Sequence, residues 1–385
     1  MAEVAGNPLD STHLLVETPI NIDTAIYMLN ADDLPMLGGI NSDGYPMIGR
    51  QPVDNSVFYW LNDEFLVPRT TCAEVLDAIE TDVDVAVGSG ERFAAGDAIR
   101  INDEIMYVTG VTNDTLTVTR GASGTVAAVA AIGDEVIGVG TVLAEGSIGD
   151  EQFTGRTKLS NFTQIFTSKI SITRTARRIP KYGMPGGELP RQTRKVLLSE
   201  GVNMEQSFMY GVKYQAGNVR QTGGLTEFLT TNVIGNGVSG NWLTINEINL
   251  RQQVAYDAGG MFTHLTSIAK NFGALDNIAD TARVTQVDLT DMRRGRQRAT
   301  VVLTQFGEVM LHRNRYCKAT DAFGTNPDAH SVRVFQPMVM QPLAKTDDKD
   351  NWMFVAEHGY QFKGERHQIY WNGLDNTQAL PAGLV

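Results

Sequence analysis

The sequence predicts an α+β fold: one long helix lying on a β-sheet, with a small β-domain inserted between strands of a larger structure. Three observations carry this expectation. Gly186–Val212 reads GGELPRQTRKVLLSEGVNMEQSFMYGV and places Leu189, Val196, Leu197, Met204, Phe208 and Val212 on one helical stripe. Gly96–Gly140 alternates Ile99/Ile101, Ile105/Tyr107 and Leu116/Val118 in strand fashion, with Tyr107 as its only aromatic residue. Arg298–Tyr316, RATVVLTQFGEVMLHRNRY, reads as a hairpin turning at Phe306-Gly307. A chain of 385 residues, 42% of them apolar, is globular and long enough for two or three domains.

The elements follow in order. Residues 1–55 lack periodicity and carry Pro8, Pro19, Pro35, Pro46 and Pro52 among glycines, which suits an extended arm. An ordered arm needs a surface to lie on, because a monomer gains little by fixing such a segment. Ser56–Arg69, SVFYWLNDEFLVPR, is a strand with aromatic anchors, Trp60 among them, ended by Pro68. Residues 71–82 suit a short helix with apolar Val75, Leu76 and Ile79. The inserted β-domain is expected over about 88–149, hinged at Gly88-Ser89-Gly90 and Gly146-Ser147-Ile148-Gly149, with turns at Asn102-Asp103 and Asn113-Asp114. The chain returns as a half-buried strand with Ile170 and Ile172 alternating with Ser171 and Thr173. Met184-Pro185-Gly186-Gly187 then breaks the chain before the long helix. That helix is expected over about 187–214, roughly 40 Å at about 1.5 Å per residue. Glu188 in its first turn suits the helix dipole, and Pro190 is tolerated there. Arg191, Arg194, Lys195 and Glu205 fall largely outside the apolar stripe. With one stripe apolar, the helix should lie across a sheet rather than inside a bundle. A second helix starts after Thr244, which makes a capping-box spacing with Glu247, and Gly259 can end it. MFTHLTSIA is a strand, KNFGALDNIAD a third helix, and SVRVFQPMVMQPLAK and WMFVAEHGYQFKGERHQIYWNGL supply the last strands.

Charge is unevenly placed. Residues 1–157 hold six Arg, no Lys and 25 Asp/Glu, a net −19, whereas 158–385 hold 26 Lys/Arg and 19 Asp/Glu, a net +7. Such asymmetry either steers one half of a molecule toward the other half of a neighbour or only keeps the chain soluble. Two basic clusters stand out: Arg174, Arg177, Arg178 and Lys181 before the helix, and Arg293, Arg294, Arg296 and Arg298 in RRGRQR. RRGRQR is read as a phosphate contact or an intersubunit ion-pair patch, or else as a solvated turn. So acidic a chain argues against sequence-specific nucleic-acid binding. Catalytic and cofactor motifs are weak. The Walker and G-x-S-x-G spacings are absent, and GNGVSG (Gly235–Gly240) is an Asn/Gly loop whose following helix starts too late to cradle a pyrophosphate. None of His13, His264, His312, His330, His358 and His367 pairs with another His or Cys at metal-ligand spacing. Asp347-Asp348-Lys349-Asp350 reads as a polar turn, with a hard-cation site as the alternative. No cofactor, metal or catalytic residue is therefore expected. Two cysteines, Cys72 and Cys317, cannot form a disulfide framework. No run of 18 apolar residues suggests a membrane span, and no secretory signal is expected at MAEVAGNPLD.

The order of parts resembles the major capsid protein of tailed bacteriophages, the coat-protein fold named after phage Hong Kong 97. FYWLNDEFL (Phe58–Leu66) resembles the strand leading into that fold's extended loop. NFTQIFTSKISITRTARRIPKYG with GGELPRQTRKVLLSEGVNMEQSFMYG resembles its strand and spine helix. VVLTQFGEVMLHRNRY resembles the axial-domain hairpin, and QPLAKTDDKDNWMFVAEHGYQF the return to the peripheral domain. The resemblance covers nearly the whole chain and implies 1–55 as N-terminal arm and 56–165 as extended loop carrying the insertion. It implies 166–240 as peripheral domain with the spine helix, 241–343 as axial domain, and 344–385 as the return to the peripheral domain. Two departures stand out: the insertion itself, and the lack of any lysine before Lys158. Some relatives cross-link through a lysine on the loop and an asparagine on a neighbour, so no isopeptide cross-link is expected here.

The resemblance implies a non-enzymatic shell protein, found in the virion capsid and assembled in the host cytoplasm into pentamers and hexamers. Its implied partners are further copies of itself, a separate scaffolding protein, a portal, packaged double-stranded DNA contacted non-specifically, and a cement protein. The residues expected at subunit interfaces are Trp60, Arg174, Arg177, Arg178, Glu188, Arg191, Arg194, Arg293, Arg294, Arg296 and Arg298. The alternatives are an encapsulin-type compartment, which the insertion argues against, a tail or baseplate protein, and a β-rich hydrolase lacking a nucleophile motif.

Overall fold

The computed structural model describes residues 34, 36–37, 48–63, 67–142, 156–179, 187–235, 243–272, 301–345 and 347–374. In chain order the strands begin with β1 (Gly49–Pro52), β2 (Val57–Asn62), β3 (Arg69–Thr71), β4 (Asp82–Asp84), β5 (Asp97–Ile101), β6 (Glu104–Thr112), β7 (Thr115–Ala122), β8 (Glu135–Thr141), β9 (Thr157–Phe162) and β10 (Gln164–Thr173). Helices α1 (Arg174–Arg178) and α2 (Glu188–Tyr210) follow, then β11 (Tyr214–Ala216), β12 (Val219–Gln221), α3 (Leu225–Phe228), β13 (Val233–Ile234) and α4 (Ile245–Asp257). The chain ends with β14 (His264–Ser267), β15 (Val301–Thr304), β16 (Gly307–Arg313), β17 (Asp321–Thr325), β18 (His330–Pro342), β19 (Lys349–Phe362) and β20 (Ile369–Asn372). Leu61–Leu159 forms one compact unit and the rest of the chain another.

Among its described residues the larger unit holds two sheets of four or more strands, beside the β11-β12 hairpin. One has the order β1-β18-β19-β10 and the other β13-β20-β17-β14-β16-β15. In β10, Phe166, Ile170 and Ile172 are buried while Ile165, Thr167, Lys169, Ser171 and Thr173 are exposed, the alternation expected of a half-buried strand. Helix α2 lies along this strand. Leu189 and Val196 pack with Ile170, Ile172 and Phe354 near one end, Ser168 Oγ donates to Glu200 midway, and Ser207 reaches Gln164 at the other. The lengths match: 23 helical residues span about 34 Å and ten strand residues about 33 Å. The second sheet carries α4. Thr244 caps this helix by accepting from the Glu247 amide, and Ile245, Ile248 and Ala255 pack with Phe262, Val302 and Trp371.

The smaller unit is one antiparallel sheet, β3-β8-β5-β6-β7-β4, over a core that includes Leu76, Val83, Ile99, Met106, Leu116 and Val136. Its hairpins turn at Asn102-Asp103 and Asn113-Asp114, with both asparagines at positive φ. Arg120 and Glu104 form a buried bidentate pair, with N–O distances of 2.8 and 2.7 Å. The Arg120 guanidinium also donates to the carbonyls of Asp77, Glu80 and Ala128.

Several expectations are corrected. No helix forms over 71–82. Cys72 and Leu76 instead bridge to Val85 and Ala130, and β4 begins at Asp82, because pairing into the sheet outweighs a weak local helical pattern. The small sheet therefore starts at Arg69, upstream of the expected 88–149 stretch. The aromatic strand stops at Asn62 rather than at Pro68. The long helix ends at Tyr210, not near 214. Gly211 leaves helical geometry where the backbone crosses Gly224: the Gly224 amide donates to the Gly211 carbonyl at 2.8 Å, and a Cβ on Gly211 would lie 2.5 Å from the Ser207 and Thr222 oxygens. Of the expected stripe, Leu197 and Val212 are exposed, while Glu200 and Glu205 are buried. Of the expected third helix only a 3-10 turn, Ala269–Phe272, falls among the described residues. The hairpin at 298–316 forms as expected from Val301 onward, with Thr304 opposite Gly307.

Glu205 is the least expected of these. It accepts hydrogen bonds from the Met36 and Leu37 amides at 2.9 Å each, and from Asn314 Nδ2 at 2.8 Å. Met36 and Ile48, both within the expected arm, are buried in this chain's own core, and β1 adds parallel to β18. Substituting Glu205→Ala would take the acceptor from two buried donors, at about 1–3 kcal/mol each, and from the part-buried Leu37 amide. Urea unfolding of the unassembled chain should show a loss of about 3 kcal/mol or more, and a smaller loss for Glu205→Gln.

Candidate assembly surfaces

The basic cluster before the long helix is built by a change of secondary structure. Thr173, the last residue of β10, caps α1 by accepting from the Ala176 amide, and α1 then presents Arg174, Arg177 and Arg178. Asp348, in the turn between β18 and β19, and Asp350, at the start of β19, face it, while Asp347 pairs with Lys349. Arg174 pairs with Asp348 at 3.1 Å, Arg177 with Asp350 at 2.7 Å, and Lys345 also with Asp350. Lys345 and Arg177 hold the Asp350 carboxyl below the usual carboxylate range. The acidic turn read from the sequence thus serves as counter-charge to the basic cluster. Arg178 is exposed and has no ion-pair partner among the described residues.

The other expected interface residues are placed as follows. Glu188 accepts from Arg191 and Gln192 within the first turn of α2. Arg194 is exposed. Trp60 is buried, with its ring 6.0 Å from Phe58 and 5.4 Å from Phe228, so it packs within the chain. Arg293, Arg294, Arg296 and Arg298 lie outside the described residues, as do Lys181 and most of GNGVSG.

Sequence reasoning missed an apolar groove of about 520 Å³ beside α2, lined by Leu189, Pro190, Leu197, Leu198 and Met340 together with Thr193 and Arg194. It adjoins β18, whose β1 neighbour pairs only with Ser331–Val334. The rest of β18 carries exposed Phe335, Val339 and Met340, with Pro337 and Pro342 interrupting its hydrogen-bonding capacity. An apolar groove beside a partly open strand edge can accept protein, not perform covalent chemistry. Among the described residues no group of three or more His, Cys, Asp or Glu is arranged to hold a metal, and no helix is long and apolar enough to cross a membrane. Cys72 and Cys317 are buried free thiols. Burial pushes both up, Cys317 to about 12, which disfavours the reactive thiolate.

Two histidines far apart in sequence also meet. His264 on β14 and His312 on β16 stack at 5.1 Å, a pairing no local spacing could reveal. Burial lowers His264 to about 4 and His312 to about 3, with the His264 and Arg313 charges adding to the second shift. Burial likewise lowers His330 to about 3 and His358 to about 4.

A sequence model of the SU10 major capsid protein family matches residues 6–374. No curated protein matches the chain. Among solved structures, the capsid of an empty GTA particle aligns with a TM-score of 0.52 at 8% identity, covering 96% of this chain and 100% of that one. A structure from Mycobacterium phage Bobi aligns with a TM-score of 0.50 at 8% identity, covering 95% and 99%. At these identities the likeness is one of fold. The holo-SrpI encapsulin complex from Synechococcus elongatus PCC 7942 covers 97% and 98% at 9% identity, but its TM-score of 0.43 carries no argument.

The four buried histidines set a pH dependence. Each is neutral in the folded chain, whereas the unfolded chain binds a proton below about 6.5. Their contribution is therefore complete above pH 6.5 and is lost as pH falls from 6.5 toward 4, by up to about 1.4 kcal/mol per pH unit per group. Urea midpoints of the unassembled chain should be flat from pH 8 to 7 and fall steeply from 6.5 to 4.5. A flat profile down to 4.5 would contradict the burial argument.

Proposed function

The chain belongs to the SU10 major capsid protein family, whose members are structural, capsid-forming proteins of the virion rather than enzymes, and from that premise we propose how this chain builds a shell. Residues 56–165 act as the extended loop with its inserted β-domain, 166–240 as the peripheral domain with α2 as spine helix, 241–343 as the axial domain, and 344–385 as the return. Copies gather through the axial domain into pentamers and hexamers of an icosahedral head enclosing double-stranded DNA. A separate scaffolding protein, a portal and a cement protein are the further partners. The family match over residues 6–374 carries this reading. The matched lengths of α2 and β10 support it, because a shell subunit must be wide, thin and stiff, and a helix packed along an equally long strand bends with it as one body.

The arm, residues 1–55, is anchored in its own subunit at Met36, Leu37 and β1, which supports a fixed starting point for contacts made elsewhere in the arm. Contacts shared among several subunits gain avidity, since each later contact is effectively intramolecular. Ring closure follows from heterologous interfaces that close by rotation. Covalent cross-linking through the loop is not part of the design, since Lys158 on β9 is the first lysine of the chain.

Negative-stain microscopy of the purified chain, alone and coexpressed with scaffold candidates, should show closed shells or rings of five and six. A monomer under every condition would overturn the proposal. Boiled shells should run as a single monomer band on a denaturing gel, and a ladder would overturn the non-covalent design.

A further inference from the structure

The small unit presents apolar side chains that nothing in its own fold uses. Val75 and Ile79 lie on one loop and Val126, Val129 and Ile132 on another; Ile79 is 88% exposed and Val126 83%. The two loops are tied together. Leu76 and Ala130 exchange backbone hydrogen bonds at 2.9 and 3.0 Å, and both side chains point into the core. Residues on either side of such a bridge point the opposite way, so Val75 and Val129 share the outer face. Arg120 fixes the geometry by donating to carbonyls of both loops, to Asp77 and Glu80 at 2.6 and 3.0 Å and to Ala128 at 2.6 Å. Glu104 accepts from the Ala128 amide at 2.9 Å and holds Arg120 in place. Burial works against ionisation of Glu104, but Arg120 and the Ala128 and Gly121 amides outweigh it and keep the carboxyl below its usual range. The apolar residues are thus displayed from a rigid base, as a binding surface requires.

The rim chooses the occupant. Exposed Glu74, Asp77, Glu80 and Asp82 surround or adjoin the first loop. The unit's arginines are all engaged within it: Arg69 with Glu135, Arg100 with Asp103, Arg120 with Glu104, Arg156 with Asp63, and Arg92 with the Val67 and Arg69 carbonyls. A strongly acidic, apolar surface repels its own copy and fits a basic, apolar one. The chain carries such a surface on α1, where exposed Arg178 has no ion-pair partner among the described residues, Arg174 and Arg177 stay 69% exposed in their pairs with Asp348 and Asp350, and exposed Ile179 follows directly.

We propose that the apolar patch of the small unit docks on the α1 surface of a second copy of this chain. The proposal rests on the shell reading above and deepens it by naming one contact between copies.

The test uses full-length protein and assembled shells. Hydrogen exchange at residues 73–80 and 124–132 should slow at least tenfold on assembly. Ile79→Ser with Val126→Ser should leave unfolding of the unassembled chain unchanged, because both side chains are exposed, yet shells should release about ten times more free subunit at a given urea concentration. Asp77→Arg with Glu80→Arg should weaken shells similarly, and adding Arg174→Glu with Arg178→Glu should restore them. Shells with unprotected loops would overturn the proposal while leaving the shell reading standing. Protection without charge-swap rescue would overturn the second copy as occupant, in favour of another protein. A chain that never assembles would defeat the shell reading itself, and this contact with it.

Discussion

The larger unit is organised around one buried carboxylate. Glu205 joins three segments that the sequence holds far apart: α2, the Met36–Leu37 backbone 168 residues or more away, and Asn314, 109 residues on, in the loop after β16. A buried carboxylate is costly unless its oxygens are satisfied, so these three donors must be in place together or not at all. The hydrogen bond from the Tyr360 hydroxyl to the Met204 carbonyl fixes the neighbouring turn of the helix to β19. Gly201, one turn earlier, lets Leu34 approach; a Cβ there would lie 2.6 Å from Leu34 Cδ1. Glycine in a helix interior disfavours the helix by about 1 kcal/mol relative to alanine, and here the close approach explains it. One face of α2 thus receives the chain's early segment while another lies along β10.

A second buried asparagine serves the same end. Asn161 at the end of β9 donates to the Tyr360 carbonyl at 2.7 Å and the Gly223 carbonyl at 3.0 Å, and accepts from the Gly223 and Phe162 amides at 2.8 Å each. It meets the backbone crossing at Gly211 and Gly224 that ends α2. Gly359 completes the close packing, since a Cβ there would lie 2.6 Å from the Phe162 oxygen and 2.7 Å from the Phe58 ring. The end of the helix, the last residues of β9, and β19 are therefore held by backbone and amide contacts that tolerate little displacement. The small unit achieves rigidity differently, through one buried ion pair beneath its loops.

This division explains what could be read from the sequence. The half-buried strand at Ile170 and Ile172, the capped helix after Thr244, the hairpin at Gly307 and the asparagine turns of the small sheet were legible because each is local, set by periodicity, a cap or a positive φ. The family resemblance was legible for a similar reason, since it rested on runs of contiguous residues. The stretch 71–82 reads as a helix because its apolar residues fit a helical spacing too, and only the partners Val85 and Ala130 choose the strand-like form. Glu205 was placed outside the helical stripe because a carboxylate reads as solvent-facing until its remote donors are known. His264 with His312, and the groove at Met340, depend in the same way on contacts between segments far apart in sequence.

The ion pairs of the basic cluster bear on the contact between copies proposed above. Arg174 with Asp348 and Arg177 with Asp350 have arginine side chains that are 69% exposed, so each pair is screened by salt and weak by itself. Weak internal pairs suit an assembling surface. They compensate the charge of a free subunit and, in the proposed contact, would exchange at little cost for carboxylates of a neighbour. Arg120 with Glu104 is the opposite case, because it is buried and its disruption would strand a charge. The chain thus keeps its inflexible ion pair beneath the loops of the small unit and its exchangeable ones on the exposed α1 surface, where the contact proposed above would draw on them.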